Sequence, residues 1–161
     1  LIERTSPDPR AFVVHAARQV SDHREASRLV REGHDLGAEV LLEGEAPVGR
    51  HDPGTKPSTA RIVAFAPERL ELAVEAGAPG WLVLAEAWYP GWNATVDGAT
   101  APCVPANGWM RAVPVPAGSS RVTLTFQSTR LRLGVLVMLL ASAAMLAATF
   151  VGGRTVVKRA R

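Results

Sequence analysis

Few of the 161 residues have types and spacings suited to chemistry. The four histidines, His15, His23, His34 and His51, are scattered. No two share the spacing of a metal-binding helix, and no cysteine joins them. Cys103 is the sole cysteine, so an internal disulfide is impossible. In "APCVPANG" it reads as a small apolar residue in or near a strand, with no histidine or helix start beside it to activate the thiol. Glu68, Glu71 and Glu75 read as the solvated rim of a strand, not as an acid–base pair. Asp97 stands in an Asp-Gly turn, where a carboxylate usually serves backbone N–H groups. Asn93-Ala94-Thr95 has the glycosylation pattern but falls inside an expected strand. The chain has no glycine-rich phosphate loop and no nucleophile elbow. No catalytic residue, cofactor site or metal site is expected.

The aromatic residues are more suggestive. Trp81, Trp88, Tyr89, Trp92 and Trp109 hold most of the aromatic surface, and three of them crowd one stretch, "AEAWYPGWNATVDG", at residues 85–98. Exposed aromatic faces can stack on sugar rings, but tryptophans flanking a tight turn can equally close the end of a β-sandwich. Alternation puts Trp92 on the apolar face with Val96, so it is expected in the core. Trp88 and Tyr89 are expected on opposite faces of a strand. Trp88, Tyr89 and Trp109 are therefore the candidate glycan-binding residues.

The elements that must position them are mostly strands. "PRAFVVHAARQV" reads as a strand around residues 11–14. "SDHREASRLVREGHD" reads as a short surface helix capped by Ser21, with Asp22 in its first turn and Gly33 as its stop. "AEVLLEG" is a further strand, and residues 46–60, rich in Gly and Pro, read as a flexible loop. From residue 61 to residue 130, strands and turn signals alternate. "RLELAVEAG" points Leu70, Leu72 and Val74 inward. "GWLVLAEAWY" is apolar on both faces and reads as a central strand. "GWMRAVPV" carries prolines that favour an edge or strand end. "SRVTLTFQS" puts Val122, Leu124 and Phe126 on one face. The expected fold is mainly β: an antiparallel β-sandwich with a short N-terminal α-helix, spanning residues 1–130.

The composition, 47% hydrophobic, is ordinary for a globular chain, but its distribution is not. Residues 133–153, "LGVLVMLLASAAMLAATFVGG", carry no charge. About 20 apolar residues suffice to cross a hydrocarbon core of about 30 Å. A transmembrane helix over residues 131–153 is expected, with the bilayer as partner; a buried helix is the alternative. Arg154, Lys158, Arg159 and Arg161 follow it, against Arg130 and Arg132 before it. The excess of positive charge then puts the tail, residues 154–161, in the cytoplasm and residues 1–130 outside. Much of the formal +3 charge sits in that tail, so the balance does not argue for nucleic acid. The chain begins at Leu1 without a signal peptide, and is expected to be the C-terminal piece of a longer protein.

"WYPGWNATVDG", then "VPANGWMRAVPVPAG", a strand and "LGVLVMLLASAA" together resemble the C-terminal end of the YfhO family of bacterial membrane proteins. "PRAFVVHAARQVSDHREASRLV" is similar to an earlier strand and short helix of that family. Ser119 and Ser120 stand where the family often has histidine after its "paG" turn, and Phe126-Gln127-Ser128 replaces its usual Tyr-x-Pro. The resemblance implies a polytopic protein of the glycosyltransferase-C type. It also implies transfer of sugar from a polyprenyl-phosphate donor to cell-envelope polymers such as lipoteichoic acid. The family's catalytic acids lie in early extracytoplasmic loops outside this chain, so none carries over. What carries over is a non-catalytic extracytoplasmic domain: residues 88–98 as a hairpin, residues 116–118 as a turn, and the last membrane helix. The alternatives from other classes are an anchored carbohydrate-binding module and a purely structural lid.

Overall fold

The computed structural model describes residues 10–44, 49–52, 56–127, 137–142 and 145. The chain divides into two units after Gln127. In the first, the chain runs through β1 (Ala11–Val14), β2 (Ala16–Val20), α1 (His23–Arg31), β3 (Val40–Glu43), β4 (Gly49–Arg50), β5 (Thr59–Ala66) and β6 (Arg69–Ala76). It continues through β7 (Gly80–Leu84), β8 (Trp92–Val96), β9 (Ala99–Ala101), β10 (Val104–Ala106), β11 (Met110–Val115) and β12 (Gly118–Phe126). Two sheets result, one of seven strands in the order β1-β7-β11-β10-β3-β2-β4 and one of five in the order β5-β6-β12-β8-β9. The fold is thus mainly β.

The strand order dictates the shape of the larger sheet. β1 and β2 stand first and sixth in it, yet His15 alone separates them in the chain. Five steps across a flat sheet would cover about 24 Å, whereas one residue spans about 3.5 Å. The sheet must therefore roll, and the roll encloses a core of Val14, Ala17, Val40, Leu42, Trp81, Val83, Ala106, Met110 and Ala112. A second core lies between the two sheets, with Leu82, Leu84, Val113 and Val115 on one side and Leu70, Leu72, Val74, Val122 and Leu124 on the other. Inward-pointing Leu70, Leu72 and Val74 are all buried, as their alternation with Arg69, Glu71 and Glu75 requires. A small third cluster of Val20, Ala26 and Leu41 lies beneath α1.

Three expectations are corrected here. First, the sheets are not wholly antiparallel: β2 and β3 pair in parallel across the α1 crossover. Second, α1 is capped by Asp22 rather than Ser21. The Asp22 carboxylate accepts from the Glu25 N–H at 2.9 Å, while the Ser21 N–H and hydroxyl both donate to Glu25. At the other end Gly33, with φ of 94°, stops the helix as read. The Gly33 N–H bonds the Val30 carbonyl and the His34 N–H the Leu29 carbonyl, a Schellman closure.

Third, no helix among the described residues is long and apolar enough to cross a membrane. The transmembrane helix placed over residues 131–153 is therefore not shown. The described helical run there covers residues 137–142, against the roughly 20 residues a span requires. The remainder of that segment, apart from Met145, lies outside the described residues, as does the basic tail 154–161.

The roll closes at the β3–β10 seam, which holds a single backbone register pair, Ala106 with Leu42. Asn107 extends it. Its N–H donates to the Leu41 carbonyl at 2.8 Å and its side-chain oxygen accepts from the Leu41 N–H at 2.9 Å. Asn107 is buried and has φ of 52°. Replacing it with Ala orphans a buried N–H and keeps the left-handed strain, so Asn107→Ala is expected to cost about 2–4 kcal/mol in urea unfolding. Asn107→Gly, which relieves the φ, should cost less; changes within about 0.5 kcal/mol for both would mean that the seam carries no weight.

Candidate functional site

The segment after β7 sets the geometry of the site. The expected strand to Tyr89 ends at Leu84, so Trp88 and Tyr89 do not lie on opposite faces of a strand. Instead the Ala85 N–H bonds the Arg10 carbonyl at 3.0 Å, and Glu86 turns its carboxylate between two arginines. Arg10 donates to its Oε1 at 2.5 Å and Arg111 to its Oε2. The chain is thereby pulled away from the sheet. The Trp88 N–H then bonds the Trp109 carbonyl at 2.9 Å, and the Trp88 indole N–H reaches the Cys103 carbonyl at 3.4 Å. Trp88 is half-buried and held at both ends, whereas Tyr89 is 61% and Trp109 51% exposed.

Trp109 is presented by the turn between β10 and β11. Asn107 and Gly108 both have positive φ, and the Trp109 N–H bonds the Ala106 carbonyl. This is the Asn-Gly turn that suits the twist of a hairpin. Gly108 is required a second time, because a Cβ there would lie 2.7 Å from Ser27 Oγ of α1. The close approach brings the middle of α1 against the turn.

The three candidate residues, adjacent Trp88 and Tyr89 with Trp109 from a separate turn, thus meet in one open cleft of about 390 Å³. Its lining comprises His23, Glu43, Ala87, Trp88, Tyr89, Pro105, Gly108 and Trp109. His23 is the first residue of α1 and Glu43 the last of β3. Glu43 was not singled out by sequence, and His23 was read as one of four scattered histidines. Their signal is weak because the two are joined only through the packing of α1 against β3. Burial raises the Glu43 carboxyl above the usual range, as does nearby Asp22; His23 and the Gly108 backbone amide oppose the shift. The His23 Nδ1 lies 4.0 Å from Glu43 Oε1, which is buried and has no hydrogen-bond partner. The cleft offers ring faces, one carboxylate and one imidazole.

The other aromatic and polar residues have structural posts. Trp81 is buried inside the roll. Trp92 packs against the inter-sheet core, meets Phe126 with ring centroids 5.4 Å apart, and carries the Arg111 guanidinium 3.8 Å above its ring. Arg111 is only 2% exposed, and neutralisation by Glu86 makes that burial tolerable. The strand β11 that bears it is interior rather than an edge: it lies between β7 and β10, and Pro114 falls beyond the last β10 pair, Val104 with Ala112. Asp97 accepts from the Arg121 N–H at 2.7 Å, a backbone role. Glu71 pairs with Arg69, and Glu75 accepts from Ser119. His15 contacts the Pro79 carbonyl and the Ser58 hydroxyl, and His34 the Glu39 carbonyl. Among the described residues no three His, Cys, Asp or Glu side chains are grouped to hold a metal ion.

The β unit is thus a rolled sheet packed on a smaller one, with an aromatic cleft at the rim of its closing turn. The family model described as bacterial membrane protein YfhO matches residues 56–138. That match covers more than half of the 161 residues, and the chain belongs to this family of bacterial membrane proteins. Neither a curated protein nor a solved structure matches the chain.

Two outcomes follow from the charges. Glu86→Ala strands a buried guanidinium and is expected to cost about 3–5 kcal/mol in denaturant unfolding. Arg10→Ala removes an exposed partner and should cost no more than about 1 kcal/mol; equal losses would contradict the buried pairing. Burial also raises the Cys103 thiol from 9.0 to about 11, partly offset by Arg111. The folded chain then holds this proton more tightly than the unfolded one. The associated stability is fully present below the unfolded value of 9.0 and is lost as pH rises through about 11. Iodoacetamide should accordingly label the native chain far more slowly than the urea-unfolded chain at mildly alkaline pH, and equal rates would show an accessible thiolate.

Proposed function

We propose that the β unit is the non-catalytic, extracytoplasmic, glycan-gripping part of a YfhO-family protein that transfers sugar from a polyprenyl-phosphate donor to cell-envelope polymers. The observation that carries this reading is the convergence of Trp88, Tyr89 and Trp109 on one cleft beside a carboxylate. Ring faces stack on the apolar face of a sugar, and a carboxylate accepts from its hydroxyls. Family membership supports association with a membrane. The turnover itself belongs to residues outside this chain, and the cleft would hold the acceptor glycan in place.

A structural lid is the second reading, and the anchoring of Trp88 to Cys103 and Trp109 favours it for that one residue. Tyr89 and Trp109 separate the two, since neither side chain is buried. In the full chain, Tyr89→Ala with Trp109→Ala should leave the circular dichroism and unfolding midpoint unchanged. Affinity for envelope glycan fragments should fall at least about tenfold, the roughly 1.4 kcal/mol that one stacked ring supplies. A folded double variant with unaltered glycan binding would overturn the glycan reading; a variant that fails to fold would support the lid.

A further inference from the structure

We infer that the cleft selects a glycan bearing a free ammonium group, an inference that rests on the glycan reading above and narrows its ligand class. The floor of the cleft carries the argument. Glu43 is 15% exposed at its side chain, and its Oε1 is fully buried without a hydrogen-bond partner. The Gly108 amide serves the carboxylate, but the His23 ring, largely exposed, stands 4.0 Å from Oε1, beyond hydrogen-bond reach. A buried acceptor left this way is costly, and a ligand that donates to it recovers that cost.

The fixed charges around the cleft are carboxylates, and His23 is the one group there that can become cationic. From α1 and its cap come His23 and Asp22, from β3 comes Glu43, and both His23 and Asp22 act on Glu43. The turn between β10 and β11 and residues 87–89 contribute no charged side chain. Among the described residues no lysine or arginine lines the cleft. A phosphate would therefore meet carboxylates and ring faces and no fixed cation. An ammonium group meets the opposite: aromatic faces whose quadrupole attracts cations, and a desolvated carboxylate. Its three N–H donors also exceed what one sugar hydroxyl supplies. A neutral sugar can stack on Tyr89 and Trp109 but leaves the Glu43 charge uncompensated.

The test is a tryptophan-fluorescence titration of the full chain in detergent, slightly below neutral pH, since Trp88 and Trp109 both report on the cleft. Glucosamine should bind about tenfold tighter than N-acetylglucosamine, the gain of one cation–π contact plus one buried ion pair. Glu43→Gln should shrink that ratio severalfold, leaving only the cation–π share, while circular dichroism reports whether that variant is folded; if it is not, the wild-type ratio decides. Equal or tighter binding of N-acetylglucosamine would overturn ammonium selection and leave the glycan reading standing. Binding of neither sugar would overturn both.

Discussion

The first unit depends on how a rolled sheet is closed. Because His15 alone connects strands at opposite sides of the sheet, the roll is obligatory, and its seam is held by one backbone register pair and the side chain of Asn107. An asparagine suits this post because it tolerates positive φ while its amide oxygen replaces a missing ladder acceptor. The NH2 group of that side chain donates to the Met110 sulfur, 3.6 Å away, a weak contact. The same turn then needs Gly108 for its φ and for the approach of Ser27. Closure of the roll, the position of α1 and the display of Trp109 are thus consequences of three successive residues.

A second constraint is electrostatic and acts at the opposite end of the site segment. Arg111 lies on the face of β11 that turns toward the small sheet, at the margin of the inter-sheet core. Burial there disfavours its charge, and the Glu86 carboxylate restores the balance. Trp92 offers its ring face to the same cation. Glu86 can do this only by leaving the sheet, which is why β7 stops at Leu84 and why the following aromatics project from a loop. The ion pair is therefore more informative about chain path than about net stability, as buried pairs often are.

Much of this was legible in the sequence, and the failures have physical causes. The alternation over β6 was readable because one face is buried by the opposing sheet and the other is solvated. The Gly33 stop and the Asp97-Gly98 turn followed from backbone sterics, which are local. The end of β7 was not readable, since the apolar run continues through residues that leave the sheet. What stops the strand is a pairing of Glu86 with arginines 76 and 25 positions away. Of the two outcomes that Pro114 and Pro116 favour, the strand end holds and the edge does not, because β10 is too short to ask Pro114 for a donor. The parallel pairing of β2 with β3 was available in principle, as a strand–helix–strand unit favours it. The candidate site was half-legible: aromatic type marked Trp88, Tyr89 and Trp109, but nothing local marked Glu43 or His23.

These two constraints together explain the polarity of the cleft. The described arginines nearest to the site segment, Arg10 and Arg111, are drawn to Glu86 and to the rings of Phe65 and Trp92. Arginines are thereby held on one side of the segment, while the charges that act on Glu43 on the other side are those of Asp22 and His23. Trp88 is the partition between them: its indole is tied back to Cys103, close to Arg111, while it lines the cleft with Tyr89. A surface built this way disfavours a phosphate, which on the proposed reading suits the cleft to an acceptor glycan rather than to a phosphate-bearing donor. The polarity of the cleft is thus set in part by the fold's need to neutralise one buried arginine.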